Sequence, residues 1–578
     1  MILYFPILLS LIVVPSMSEG LELPRSLLLI LFCFTYLIIK PDYLFVSKKF
    51  LYLPLLIPVI YLINAIFLEP NILQVLFGTW KRNFGVLTHL AIAILFLVSV
   101  NSKSLNSNKL FKNCLLPLTV ISIIYSLVQI SGNDFLLWLE KDRVVLTSGN
   151  SNYAAVYLAL MLPGAIYAFF KQRDKNIILY KAVFFMIFIF IIYCGLKTMS
   201  FQFNVIALTA LTTYLFIFYY DKFIKLTLKF RVLSITFLFF TTIGLIIRYR
   251  NILNEFTSAD DRISTQRIGL EIFKDNFFTG VGVENTSSFA QLYVKPEDIR
   301  REGADRFLDK SHNSLIDHFA NGGVFLGLAY MTFIVTIFYF IYRLLKANYK
   351  IKEELALLGS IFSSYVIQLF FNTDSILLMV IPHIVMGMIG KLYLEASSHY
   401  LNSELVTTRQ SIVKPRPKNQ LIATRLIMSL LMFIVLVFGN RIVSTDIQFQ
   451  QIFQGKVTSG DKIMETLNNW PYQRPTEKVM VEIAQNLENC SFLESVANRL
   501  VDVNQRSNEA WLVKSLCADF KGNQKLALIY VQKALDLHPL NIRYLDVRYQ
   551  LEIALGLNLK ANATLDLIKS IVTPKTEK

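Results

Sequence analysis

Apolar runs long enough to cross a lipid bilayer recur along most of this chain, and no other feature limits its fold as strongly. A spanning helix needs about 20 predominantly apolar residues. The sequence predicts thirteen spans, at roughly 2–14, 25–39, 50–68, 84–100, 111–131, 152–170, 177–196, 201–220, 231–248, 314–342, 354–371, 375–395 and 424–440. Of the 578 residues, 54% are hydrophobic and only 17% are charged, against about 25% charged in a soluble domain. The expected fold class is all-α: a polytopic transmembrane helical bundle embedded in a lipid bilayer. The formal net charge of +16 fits basic connectors between spans. No basic helix or aromatic platform points to nucleic acid as a partner.

Connector charges predict the sidedness. Lys40, Lys48 and Lys49 follow the second span, Lys103, Lys109 and Lys112 the fourth, and Lys171, Arg173 and Lys175 the sixth. Lys222, Lys225 and Lys229 follow the eighth, Arg343, Lys346 and Lys350 the tenth, and Arg409, Lys414, Arg416 and Lys418 the twelfth. Basic connectors stay in the cytoplasm, so the even-numbered ones and the amino terminus are expected inside. The odd-numbered connectors and the carboxyl terminus are then expected outside. Residues 249–312 form a large outer loop, in which the spacing of Ile263, Ile268, Leu270, Ile272 and Phe273 predicts a surface helix. Residues 397–423 read as a polar cytoplasmic linker.

The membrane domain is expected to cover 1–443, and 444–578 a soluble helical domain. Asn508–Asn541 carries Trp511, Ala527, Ala534 and Pro539 at positions suited to a close helix pair ended by proline. This stretch resembles a tetratricopeptide repeat, with Lys514-Ser515 in place of the pattern's Leu-Gly. An unrelated helical hairpin stack fits the spacing as well. In either case the tail is expected to dock a protein partner or steady the membrane core. The five cysteines show no metal spacing. Cys33, Cys114 and Cys194 lie in apolar runs, and a Cys490–Cys517 disulfide is open if the tail is extracytoplasmic.

Polar groups gather in the outer connectors: Lys81 and Arg82, Arg143, then Asp261, Arg262 and Arg267, and finally Asp309, Lys310, Ser311, His312 and Asn313. Guanidinium forks bind phosphate oxygens bidentately and stay charged. A histidine beside them can take a proton from an alcohol. Each has a plainer explanation: an interfacial arginine anchors a helix, and a histidine at a helix start caps or packs. His318 is an alternative base, while His89 and His383 within spans suit interhelical bonds.

Several segments, in order, resemble the O-antigen ligase and polymerase superfamily of bacterial membrane glycosyltransferases. They are Phe77-Gly78-Thr79-Trp80-Lys81-Arg82-Asn83-Phe84-Gly85, Gly149-Asn150-Ser151-Asn152 leading into Tyr157-Leu158, and Arg262 through Arg267 followed by Asp275 and Gly280-Val281-Gly282. Ser311-His312-Asn313-Ser314-Leu315 with Gly322-Gly323 and Gly327 completes the set. The chain departs from the family at Ser151 (proline), Gln266 (tryptophan) and Phe277 (proline). It also has Ser200-Phe201-Gln202 where Ser-Arg-Gly is usual, with Lys197 as a substitute charge. The resemblance covers roughly 75–395.

The resemblance implies metal-independent transfer of a glycan from a polyprenyl diphosphate carrier to an acceptor hydroxyl. The reaction is placed at the periplasmic face of the inner membrane, with no cofactor and no metal. The acceptor is lipid A core, a growing glycan or a protein. It assigns His312 the base or acceptor-orienting role, Arg262 and Arg267 the diphosphate clamp, Arg82 and Arg143 secondary contacts, and Asn313 and Asp309 the orientation of His312. The glycines are expected to allow close helix packing beneath the site. A flippase or transporter of lipid-linked sugars would need ionisable residues deep in the spans, and Asp317 is the main one. A non-catalytic scaffold with a docking tail is the third reading.

Overall fold

A computed structural model of the chain describes residues 1–68, 71–136, 138–171, 177–225, 258–303, 308–347, 351–402, 417–469, 477, 481 and 490–573. The predicted ninth span, 231–248, lies outside the described residues. In the membrane part the main helices are α1 (Phe5–Leu11), α2 (Glu22–Ile39), α3 (Leu53–Leu68), α4 (Ile72–Phe77), α5 (Val86–Asn101), α6 (Leu116–Ile130), α7 (Ser151–Lys171), α8 (Ile177–Leu196) and α9 (Phe201–Phe218). They continue with α10 (Ser258–Asp275), α11 (Pro296–Glu302), α12 (Ser314–Lys346), α13 (Lys352–Gln368), α14 (Ile376–Asn402) and α15 (Lys418–Phe453). The tail adds α16 (Gly460–Asn469), α17 (Cys490–Val503), α18 (Asn508–Phe520), α19 (Gln524–Leu537), α20 (Ile542–Ala554) and α21 (Asn558–Val572).

Nine helices among the described residues are long and apolar enough to cross a membrane, and α5 is a shorter apolar one. These ten coincide with ten of the predicted spans; among the described residues neither 2–14 nor α13, at the predicted 354–371, is among the candidate crossings, so thirteen are not shown. The first expected span, 2–14, contains a helix of only seven residues. At 1.5 Å per residue it is about 10 Å long, far short of a ~30 Å hydrocarbon core. Its apolar residues are spent on packing instead: Phe5 stacks on Phe32 of α2 at 3.9 Å. The expected inner location of the amino terminus depended on that crossing and loses its support. The expected linker also shrinks, because α14 runs on to Asn402 and α15 begins at Lys418.

Burial separates central helices from peripheral ones. The apolar windows of α7 and α14 are 83% buried, that of α15 only 17%. α14 lies along α5, and α9 along α13. The α14–α5 contact is tight because a Cβ on Gly387 would stand 2.6 Å from the Phe96 carbonyl oxygen.

Connector contacts define two ends of the bundle. At one end the Asn101 amide donates to the Tyr43 carbonyl (2.8 Å), Lys391 donates to the Leu105 carbonyl (2.7 Å), and Lys352 pairs with Asp221. These residues flank the basic connectors. At the other end the odd-numbered connectors meet: Ser200 donates to Asn152 (2.7 Å), Val144 N–H to the Lys197 carbonyl (3.1 Å), and Trp80 to Ser18 (3.0 Å).

The large loop is built into α12 rather than laid over it. At Gly323 the helix breaks, with φ +69°. Phe277–Gly282 enters the break: Val324 N–H donates to the Phe277 carbonyl (2.8 Å), Val281 N–H to Ala320 (2.9 Å) and Gly282 N–H to Asn321 (2.9 Å). A Cβ at Gly323 would lie 2.1 Å from the Phe278 oxygen. Of the glycines expected to allow close helix packing, Gly323 serves a loop-to-helix seam instead.

Helices α18, α19 and α20 start at side-chain caps, with Ser507, Asn523 and Asn541 each accepting a helix N–H. α18 pairs with α19 and α20 with α21. Ala527 and Ala534 are fully buried between paired helices. Ser515, where the repeat pattern has glycine, donates to the Ala527 carbonyl at 2.8 Å and so satisfies its hydroxyl. The tail also docks on the large loop. Arg506 donates to the Ser288 carbonyl (3.1 Å) and stacks over Phe289 at 3.8 Å. Arg300 of α11 donates to the Ile571 carbonyl (3.0 Å), and Ile299 packs into the tail core.

Candidate functional site

The segment Asp309–Asn313 is fixed residue by residue. Ser311 N–H donates to Asp317 (2.8 Å), and Thr265 donates to the Ser311 carbonyl (3.2 Å). Asn313 caps α12, accepting from the N–H groups of Leu315 and Ile316 at 3.1 Å each. Its amide is thereby committed to the helix start, so it holds the backbone next to His312. Between these anchors His312 adopts φ +52°, a left-handed conformation that costs about 1–3 kcal/mol outside glycine.

Arg82 reaches this segment from the turn after α4. Its Nε donates to Asp309 Oδ2 (2.7 Å), and Nη2 contacts the same oxygen. Nη1 donates to the Tyr153 hydroxyl (2.8 Å) and to Thr373 (3.3 Å). One guanidinium thus joins three connectors. Burial pushes the Asp309 carboxyl up, but Arg82 beside it, then His312 and Lys310, outweigh burial and hold it below the usual carboxylate range.

Glu284 repeats this logic deeper down. It is 4% exposed in its side chain and pairs with Lys310 at 2.9 Å. Its other oxygen accepts from Thr79 N–H (2.6 Å), the Thr79 hydroxyl (3.2 Å) and Phe84 N–H (3.3 Å). A Cβ on Gly78 would meet that oxygen at 2.5 Å, so glycine is required for the approach. Burial opposes the Lys310 charge, yet Glu284 and then Asp317 keep its pKa above the ordinary lysine value. Lys310, Glu284, His89, Asp317, His318 and Asp374 are among the residues that line a small polar cavity beneath the His312 segment. Burial pushes Asp374 up to about 6, despite Lys310.

Arg262 lies on α10 one turn before Thr265, which bonds to Ser311. With the Gln202 amide turned to match its neighbours, its oxygen accepts from both Arg262 terminal nitrogens at 2.6 and 2.7 Å. In that orientation the Gln202 nitrogen donates to Asn372 Oδ1 (3.2 Å), and the Asn372 carbonyl accepts from the Ser314 hydroxyl (3.0 Å). Arg262 and the His312 segment therefore share one end of the bundle and a common set of neighbours.

Arg267 does not join them. Five residues along a helix turn it by about 140° from Arg262. It faces α11, where it pairs with Asp298 (2.6 Å) and Glu271 (2.7 Å) and donates to the Tyr293 carbonyl (3.1 Å). Two carboxylates already use its charge, so the geometry makes it a strut of the large loop. Arg143 sits beside Val144, which is tied to Lys197.

The sequence reading missed Glu284, Tyr153, Asn372, Thr373 and Gln202 as site members. A signal existed for one group: Asn372-Thr373-Asp374-Ser375 is a polar run squeezed between two apolar helices. The six non-glycine residues with positive φ among those described are Lys81, Asn83, Leu146, Met199, Glu284 and His312. All six lie in the connectors that meet here. Among the described residues, no group of three or more His, Cys, Asp or Glu side chains is arranged to hold a metal ion.

A bundle of apolar helices that gathers arginine, carboxylate and imidazole groups from separate connectors at one end is a multi-pass membrane protein with a polar site on one face. Residues 202–331 match the family model described as O-antigen ligase. The matched stretch runs from α9 through the large loop into α12, and it contains Arg262, Glu284, Asp309, Lys310 and His312. This matched family is the one that the motifs resemble. No curated protein matches the chain.

Proposed function

We propose that this protein is a membrane glycosyltransferase that moves a glycan from a polyprenyl diphosphate carrier to an acceptor hydroxyl. The observation that carries the reading is the meeting of Arg82, Asp309 and the His312 segment with Arg262 and Gln202 at one end of the bundle. The acceptor hydroxyl attacks the sugar carbon that bears the diphosphate, His312 takes its proton, and the lipid diphosphate leaves. Negative charge grows on the departing oxygens, and a fixed guanidinium in a partly dry site stabilises it. Arg262 is assigned this role, because it shares this end of the bundle with the His312 segment, to which Thr265 on the same helix is bonded through Ser311. Arg82 and Asp309 set the height and orientation of His312. Arg267 acts through the loop.

The charge pattern of the connectors supports an outer, periplasmic position for this end and for the tail, in the inner membrane of a bacterium. The helix pairs of the tail support a tetratricopeptide-like docking domain. Lipid A core, a glycan or a protein hydroxyl all fit as acceptor.

Reconstitution with a polyprenyl diphosphate-linked glycan and these three acceptor classes tests the reading. His312→Ala is expected to lower transfer about 10²–10⁴-fold while binding of the donor lipid persists. Undiminished transfer in that variant removes the histidine mechanism. Movement of donor across vesicles without a new glycosidic bond would favour a transporter instead.

A further inference from the structure

The five cysteines divide sharply. Cys33, Cys114 and Cys194 are buried in the apolar helices α2, the π-helical turn before α6, and α8. Cys490 and Cys517 are the two outside the membrane part, and they face each other with their sulfurs 2.8 Å apart. Cys517 is buried and Cys490 partly exposed. They belong to α17 and α18, a helical hairpin whose turn, Asn504–Ser507, carries Arg506. Cys490 opens the first helix and Cys517 lies near the end of the second. The two thiols therefore sit at the open end of the hairpin, opposite the turn that grips the large loop. Beside them Lys521 pairs with Glu494 (2.6 Å), a second link between the same two helix ends.

We infer that Cys490 and Cys517 are a disulfide modification site that closes this hairpin in an oxidising compartment. The inference rests on the outer placement of the tail read from the connector charges. Small extracytoplasmic helical domains commonly gain stability this way, since a cross-link restricts the unfolded chain. The partly exposed Cys490 sulfur, as thiolate, attacks one sulfur of a protein disulfide donor of the thiol–disulfide oxidoreductase class, breaks the donor S–S bond, releases the other donor sulfur as a thiolate and forms a mixed disulfide. The Cys517 sulfur then attacks the Cys490 sulfur and expels the donor sulfur bonded to it as the second thiolate. Two protons leave the cysteines, and the two electrons end on the donor, now a dithiol. Burial pushes the Cys517 thiol up to about 12, so a catalysed exchange that begins at Cys490 is the expected route. With the hairpin closed at one end and Arg506 seated on Ser288 and Phe289 at the other, the bond fixes the tail's grip on the loop that bears Arg262.

The experiment uses the full-length protein purified from aerobically grown cells, denatured and alkylated with N-ethylmaleimide, then analysed by peptide mass spectrometry. Without reductant, alkylation of Cys33, Cys114 and Cys194 alone is expected, together with a linked Cys490–Cys517 peptide. With reductant all five cysteines should react. A reporter fused after Lys578 reads the side of the membrane independently. Five reactive cysteines with an extracytoplasmic reporter overturn the disulfide while the orientation stands. Five reactive cysteines with a cytoplasmic reporter overturn both. As a second readout, adding reductant should lower the Tm of the wild type by several degrees and leave that of Cys490→Ser/Cys517→Ser unchanged. Equal responses would contradict the bond.

Discussion

At Glu284 one carboxylate serves the Arg82 turn, the large loop and the His312 segment together, and its worth is testable. Glu284→Gln keeps an acceptor for Thr79 and Phe84 but strands the Lys310 ammonium in a site 8% exposed. Breaking a buried pair from one side costs about 3–5 kcal/mol. Thermal melts in detergent should show that loss, and transfer should fall with it. Glu284→Gln/Lys310→Met removes both charges and should recover more than half of the stability; a double variant no better than the single would mean that the pairing is not what matters. Glu19 supplies the pH counterpart. Burial, then Glu22, pushes its carboxyl up to about 7 despite the Leu23 N–H it accepts. A raised folded-state pKa means stability is full below the ordinary value of 4.5 and is lost as pH rises through about 7. Glu19→Gln, which stays neutral, should therefore gain on the wild type between pH 5 and pH 8, and melts at the two values check the sign.

The seam between Phe277–Gly282 and the break in α12 is the element on which the site's floor depends. Gly323→Ala would need a side chain at φ +69° with its Cβ 2.1 Å from a backbone oxygen. We expect a loss of at least about 2 kcal/mol, seen as a lower Tm and faster proteolysis within 258–303. Unchanged cleavage would mean that the loop is held elsewhere. This seam also marks how far the sequence could be read. The spans were legible because apolar runs of fixed length have few other uses, and Arg82, Arg262 and His312 stood out as charged or titratable groups in outer connectors. Gly280, Gly282 and Gly323 were visible as glycines, but their bonding joins two segments far apart in the chain, which no local pattern encodes. Arg267 looked equivalent to Arg262 for the same reason: its carboxylate partner Asp298 is on another element. The seven-residue α1 misled through composition, since apolar side chains suit a packed stub as well as a crossing.

Across the molecule, the tail is fastened to the loop that helps build the site. Arg506→Ala with Arg300→Ala removes a stacked guanidinium and three carbonyl contacts. It is expected to weaken this docking by roughly 1–3 kcal/mol, measured as faster amide exchange in 286–302 while the spans stay protected. An unaltered exchange pattern would show that the apolar contact at Ile299 suffices. The same map of stresses has a further consequence. Every left-handed non-glycine residue described, from Lys81 to His312, belongs to the converging connectors. Such postures survive only while their neighbours insist on them. On warming, this rim should therefore soften before the helices separate, and the proposed transfer would fall silent while the spectrum still reports a fully helical protein.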